Sequence, residues 1–157
     1  MTNEELIEIA IEESRANESN NYQNGGPFGA VIVKDGEIVA KAHNTVIEST
    51  DATAHAEVNA IRIASKVLNT HDLSGCVLYT SAEPCPMCLS AIIWANIKEV
   101  YYANTKKDAA DIGFRDDMIY EFLKGNKKDV INLHCIHSDE ANEVFAKFKE
   151  ISEKRMY

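Results

Sequence analysis

The chain is predicted to be an α/β protein, with helices layered on a sheet. Short runs rich in β-branched and aromatic residues alternate with helical patterns, the arrangement that gives such layers. Asp35-Gly36 stands between two apolar stretches, a strong hairpin signal. Across all 157 residues there is no repeat, low-complexity tract or linker, so a single domain over 1–157 is expected.

Thr2 followed by Glu5 reads as a capping box, and Leu6, Ile7, Ile9, Ala10 and Ile11 give a helix over 3–17 its apolar face. Asn24-Gly25-Gly26-Pro27 is a turn cluster. Gly25, Gly26 and Gly29, beside Phe28, either only make the turn or let backbone approach a flat ligand. Strands are predicted over 28–33 and from Glu37 to about Val46. A polar connection leads to a helix over 55–68, with apolar Val58, Ile61, Ala64 and Leu68 and a stop near Asn69. Cys76 to Thr80 reads as a buried strand. A helix after Pro84 runs through Leu89, Ile92 and Trp94, and Ile97 to Ala103 forms the next strand. Residues 104–117 read as a loop with a short helical turn, followed by the apolar 118–123. Val130 to Ile136 has the pattern of a late strand, and Ser138 of an N-cap for a final helix with Ala141, Val144, Phe145, Phe148 and Ile151 on one face.

The net charge of −9 argues against nucleic acid as a partner, since phosphate neutralisation needs a basic surface, and favours a small-molecule substrate. No apolar run reaches membrane-spanning length, and the acidic start Met1-Thr2-Asn3-Glu4-Glu5 does not have the form of a secretory signal. A cytoplasmic location is expected. In that setting the four cysteines, Cys76, Cys85, Cys88 and Cys135, are expected to bind metal or stay reduced.

Two motifs carry the chemistry: His55-Ala56-Glu57 and Pro84-Cys85-Pro86-Met87-Cys88. They offer one imidazole, two thiols and a carboxylate. Catalytic zinc sites use three protein ligands and leave a position open, whereas structural ones close all four. His55, Cys85 and Cys88 are therefore the expected zinc ligands, one ion per subunit, with Glu57 as the acid/base. Pro84 suits the first turn of a helix, which places both cysteines at a helix N-terminus, where partial positive charge favours thiolates. His55 and Glu57 face one site only if His55 lies at the very start of its helix, because residues two apart otherwise point to nearly opposite sides. A closed structural site would need a fourth ligand from Cys76, Cys135, His134 or His137. H-x-E followed by P-C-x-x-C is the stated signature of zinc-dependent base deaminases.

At these residues the chain resembles the cytidine deaminase-like superfamily, and within it the bacterial guanine deaminases. The resemblance also runs through Gly25 to Gly36, Tyr79-Thr80-Ser81, Asp108-Ala109-Ala110, Gly113 to Asp117 and the terminal Tyr157. It implies a three-layer α/β/α fold with a five-stranded mixed sheet. It implies hydrolysis of guanine, a purine base, to xanthine and ammonia, and a homodimer whose C-terminal segment crosses to its partner. By resemblance, Asn44 binds the base, Phe28 stacks on it, Ala56 contacts it through its backbone, Asp116 assists proton transfer and Tyr157 closes the pocket. Trp94 is read equally as pocket or core. Rival readings are a deaminase of guanosine, cytosine or transfer RNA adenosine, and a non-catalytic zinc-stabilised interaction domain.

Overall fold

The computed structural model describes residues 1–157. Helix α1, Asn3–Ser14, starts at the Thr2 capping box: Glu5 N donates to Thr2 Oγ1, and Thr2 N donates to Glu5 Oε2. It stops three residues short of the prediction, and a 3₁₀ turn at Glu18–Asn20 then redirects the chain. Strands β1, Gly29–Lys34, and β2, Glu37–His43, are joined by Asp35-Gly36, both at positive φ (50° and 81°), as a two-residue hairpin of this hand requires. β2 ends earlier than predicted because Asn44 turns the chain, its Oδ1 accepting from Val46 N.

Helix α2, Ala56–Leu68, leads to β3, Cys76–Ala82, and helix α3, Pro86–Trp94, leads to β4, Glu99–Asn104. The first-turn proline of α3 is Pro86 rather than Pro84, and Cys85 is the N-cap. Residues 104–117 hold a short helix, α4, Lys106–Asp111. The apolar stretch after it belongs to α5, Asp116–Leu123, and the chain closes with α6, Asp139–Glu150.

The sheet is mixed, in the order β2-β1-β3-β4, with β1 antiparallel to both neighbours and β3 parallel to β4. It has four strands, not the five expected. Residues 130–136 form no ladder. Ile131, Leu133 and Ile136 are exposed, and β4 pairs on one side only. An apolar alternation makes a strand only where an edge receives it, and within one chain this segment does not meet β4.

Side chains alternate cleanly across the sheet. Ala30, Ile32 and Leu78 face α2 and α3, where Ala56, Ala60, Ala64 and Ile92 complete the larger core. Val31, Val33 and Tyr79 face the other way, against Leu6 and Ala10 of α1. The alanines of α2 let that helix lie close on the sheet, which aims its N-terminus beside that of α3. No helix is long and apolar enough to cross a membrane.

Candidate active site

The site is built where two helices begin. His55 is the N-cap of α2 and Cys85 the N-cap of α3, both in extended backbone (φ −68°, ψ 157° and φ −65°, ψ 167°). The extended cap explains the two-residue spacing: His55 leaves the helix before its side chain is carried away from Glu57 in the first turn. Cys88, one turn into α3, is fully buried beside Cys85. His55 Nδ1 lies 3.5 Å from Cys85 Sγ and 3.5 Å from Cys88 Sγ. The three ligand atoms all lie within 4.8 Å of one another. A tetrahedron with ordinary zinc–sulfur and zinc–nitrogen bonds has edges of about 3.6 Å, so this donor set fits zinc. Cys76 is buried in β3 and Cys135 is exposed on the C-terminal segment. Neither joins the cluster, nor do His134 and His137, so the protein supplies three ligands.

The electrostatics suit metal capture. Cys85 is pushed down to about 4, chiefly by its hydrogen bond with Cys88 and then by His55. Cys88 is pushed up by the same bond and by burial. His55 is raised, first by its bond with Cys85. Metal capture needs both cysteines as thiolates and His55 neutral, so it releases protons.

Glu57 is 5% exposed, and Thr80 Oγ1 donates to its Oε1 at 3.4 Å. Burial raises its pKa above the ordinary carboxyl value. A small cavity of about 40 Å³ reaches this carboxylate, lined by Phe28, Asn44, His55, Cys85, Phe114 and Asp116 among others. Asp116, the first residue of α5, is also raised, mainly by burial and next by the neighbouring Cys85.

Asn44 is held rigidly. It is 4% exposed, its Oδ1 accepts from Gly26 N and Val46 N, and its carbonyl accepts from the buried Asn17 Nδ2 at 2.9 Å. With Oδ1 occupied, the amide offers Nδ2 as a donor. A Cβ on Gly25 would stand 2.4 Å from Asn44 O, so glycine is required there for close approach. Ala56 is wholly buried between His55 and Glu57, and as the first residue of α2 its N–H has no intrahelical acceptor.

The sequence-predicted residues do not all converge. Trp94 is 64% exposed at the far end of α3, neither in the cleft nor in the core. Tyr157 packs against it, with ring centroids 5.8 Å apart, and near His71. Both line a separate surface cavity at the C-terminal ends of α2 and α3. Three residues that the sequence analysis gave no role stand out: Thr80 behind Glu57, Glu83 in the cavity wall, and Phe114 across from Phe28. Glu83 directly precedes the cysteine motif and Phe114 lies two before Asp116, so proximity to those motifs was the available signal. Glu83 Oε2 also accepts from Lys106 N at 2.8 Å, tying the end of β3 to α4.

A three-ligand zinc centre beside a buried carboxylate, on an α/β sheet, defines a zinc-dependent hydrolytic deaminase. Residues 1–104 match the family described as the cytidine and deoxycytidylate deaminase zinc-binding region, and the chain belongs to that family. It is 46% identical to a guanine deaminase of Bacillus subtilis over 158 aligned residues, covering 100% of both proteins. An X-ray structure of guanine deaminase from the same species superposes with a TM-score of 0.92 at 43% identity, covering 100% of this chain and 99% of that one. A tRNA-specific adenosine deaminase of Aquifex aeolicus is 44% identical over 108 residues, 68% of this chain and 69% of that protein.

Proposed function

We propose that this enzyme hydrolyses guanine to xanthine and ammonia. The observation that carries the reading is Asp116, which adds a carboxylate from outside residues 1–104 to the cavity that Glu57 and Glu83 already line. The full-length likeness to guanine deaminase supports it, because that likeness extends through the segment supplying Asp116.

Zinc, when bound by His55, Cys85 and Cys88, supplies the Lewis acidity that makes water a nucleophile near neutral pH. Glu57 accepts one proton of the attacking water and passes it to the purine ring nitrogen, then carries the second, from the new hydroxyl, to the amine as its bond to carbon 2 breaks. Its burial suits both halves of that task, since a raised pKa brings it nearer the operating pH. Guanine presents an amino group and a ring N–H, both donors, on one edge. Asp116 accepts from that edge and assists transfer of the proton. Asn44 Nδ2 donates to an acceptor of the base, Phe28 packs on its face, and the free N–H of Ala56 contacts it. One water is consumed and one ammonia leaves per turnover.

The enzyme acts in the cytoplasm as a homodimer, its C-terminal segment passing to the partner. Two features support the crossing. Helix α6 buries none of its residues, with Val144 and Phe145 exposed, and Tyr157 lies against Trp94, away from the cavity of Glu57 in its own chain. Tyr157 thus serves the partner's pocket, while Trp94, at the far end of α3, is left out of the site.

The test is ammonia release from guanine, guanosine, adenine, cytosine and transfer RNA, by wild type and by Asp116→Asn. Guanine is the substrate expected for wild type. The variant keeps its zinc and loses roughly 10²- to 10⁴-fold in guanine turnover. Wild-type rates in Asp116→Asn, or turnover of transfer RNA in preference to guanine, would sink the reading.

A further inference from the structure

Asp116 enters the site from a helix with little to hold it. Helix α5 buries none of its residues, so packing in the core does not fix its position. Its backbone hydrogen bonds are all local, within the helix or to the turns at its two ends. The side chains of Glu121 and Lys124 pair with each other, and Glu121 also accepts from Asn126. One hydrogen bond joins α5 to the body of the domain: the Tyr120 hydroxyl donates to the carbonyl of Pro84 at 3.3 Å.

Both ends of that bond are placed to matter. Tyr120 is one helical turn after Asp116, so the two side chains lie on the same face of α5. Pro84 directly precedes Cys85, the metal ligand that caps α3. Its neighbour Glu83 makes two more bonds with the chain that leads to α5. Glu83 N donates to Asn104 O at 2.7 Å, and Glu83 Oε2 accepts from Lys106 N at 2.8 Å. Lys106 Nζ in turn lies 4.5 Å from the centre of the Tyr120 ring, a cation–π contact that steadies it. Before α5, Phe114 rests on Phe28, with centroids 4.8 Å apart. Asp116 therefore sits between two anchors. The ring contact limits how far the loop can move, whereas the hydrogen bond, being directional, sets the rotation of α5 about its axis.

We propose that Tyr120 is a positioning residue for the deamination. Its hydroxyl ties α5 to the residue before Cys85 and thereby sets the Asp116 carboxylate over the cavity of Glu57. Tyr120 is not among the nine residues that line that cavity, so it acts through Asp116 and not on the base. The proposal rests on the reading that Asp116 meets the amino edge of guanine. A carboxylate that assists proton transfer needs both distance and alignment, and a misplacement of about 1 Å can cost roughly 10²-fold in rate.

The test is a double-mutant cycle on the full-length, zinc-loaded enzyme: wild type, Tyr120→Phe, Asp116→Asn and the two together. Phenylalanine keeps the ring and its contact with Lys106 and removes only the hydroxyl. Zinc per chain and kcat for guanine are measured for each. Tyr120→Phe should keep its zinc and lose roughly tenfold to 10²-fold in kcat. In the Asp116→Asn background the same change should cost less than about twofold, since no carboxylate is left to place. A folding defect would lower the active fraction by the same factor in both backgrounds, so the cycle separates it from positioning. Hydrogen exchange gives an independent readout: amides of residues 116–123 should exchange faster in Tyr120→Phe, and those of α2 and α3 should not change. Wild-type kcat in Tyr120→Phe, equal losses in both backgrounds, loss of zinc, or unchanged exchange in α5 overturns the role of Tyr120 and leaves the guanine reading standing. A wild type that releases no ammonia from guanine, or wild-type rates in Asp116→Asn, overturns that reading, and the positioning role with it.

Discussion

Glu57 concentrates the chemistry in a single side chain. A carboxylate with 5% exposure is costly to keep charged, and its only direct hydroxyl donor is Thr80. Replacing it with glutamine keeps the shape and removes the proton acceptor. Glu57→Gln should retain zinc by metal analysis and lose roughly 10²- to 10⁴-fold in kcat. Zinc loss in that variant would make Glu57 a ligand instead. At this scale much was legible, because a ligand set constrains residue type and spacing together. The H-x-E spacing even dictated that His55 must precede the helix, and His55 is its N-cap. Phe114 and Thr80 fall inside the resembling segments, but their roles, like that of Asn17, were not legible: an aromatic, a hydroxyl and an amide acquire meaning only from what they face. Trp94 shows the same limit, since a lone tryptophan at a helix end says nothing of which neighbour covers it.

The elements matter through where they begin. Helices α2 and α3 lie on one face of the sheet with adjacent N-termini, and the alternation of strand and helix predicted both. The loop that delivers His55 is set by Asp51, whose carboxylate accepts from Thr53 N at 2.8 Å and Thr53 Oγ1 at 2.7 Å, with Arg62 beside it. The bonds from Thr53 hold Asp51 below the usual carboxyl range, with Arg62 adding to the effect. A depressed folded pKa means the stabilisation is present above the unfolded value and is lost as pH falls through the folded one. Asp51→Ala should therefore lower Tm at neutral pH, and the gap from wild type should close on acidification. A gap independent of pH would show that the carboxylate charge is not involved. Because the Asp51–Arg62 pair is still partly open to solvent, the effect should also shrink with salt. The late strand failed for a reason of scale: residues 130–136 have strand-like alternation, but pairing depends on a neighbour that one chain does not bring.

For the whole molecule, the body and the C-terminal segment behave differently. Residues before α5 build two cores around one sheet, whereas α6 has an apolar face with nothing under it. Leu133, Phe145 and Ile136 are each more than three-quarters exposed, a pattern that marks an interaction surface. Sedimentation should give a mass near twice the 17.5 kDa of one chain, and deletion of residues 126–157 should give a monomer. A monomeric full-length protein would contradict the dimer. The excess of 25 acidic over 16 basic residues fits a small neutral base better than a polyanion. Zinc-dependent conversion of guanine is the claim that joins all three scales, and one titration tests it most directly. Strip the metal with a chelator, add zinc back in steps, and follow xanthine and ammonia from guanine. No turnover is expected without metal, and with it equal yields of both products, rising to a plateau at one zinc per chain. A fully zinc-loaded protein that leaves guanine untouched, or turnover that survives metal removal, would contradict it.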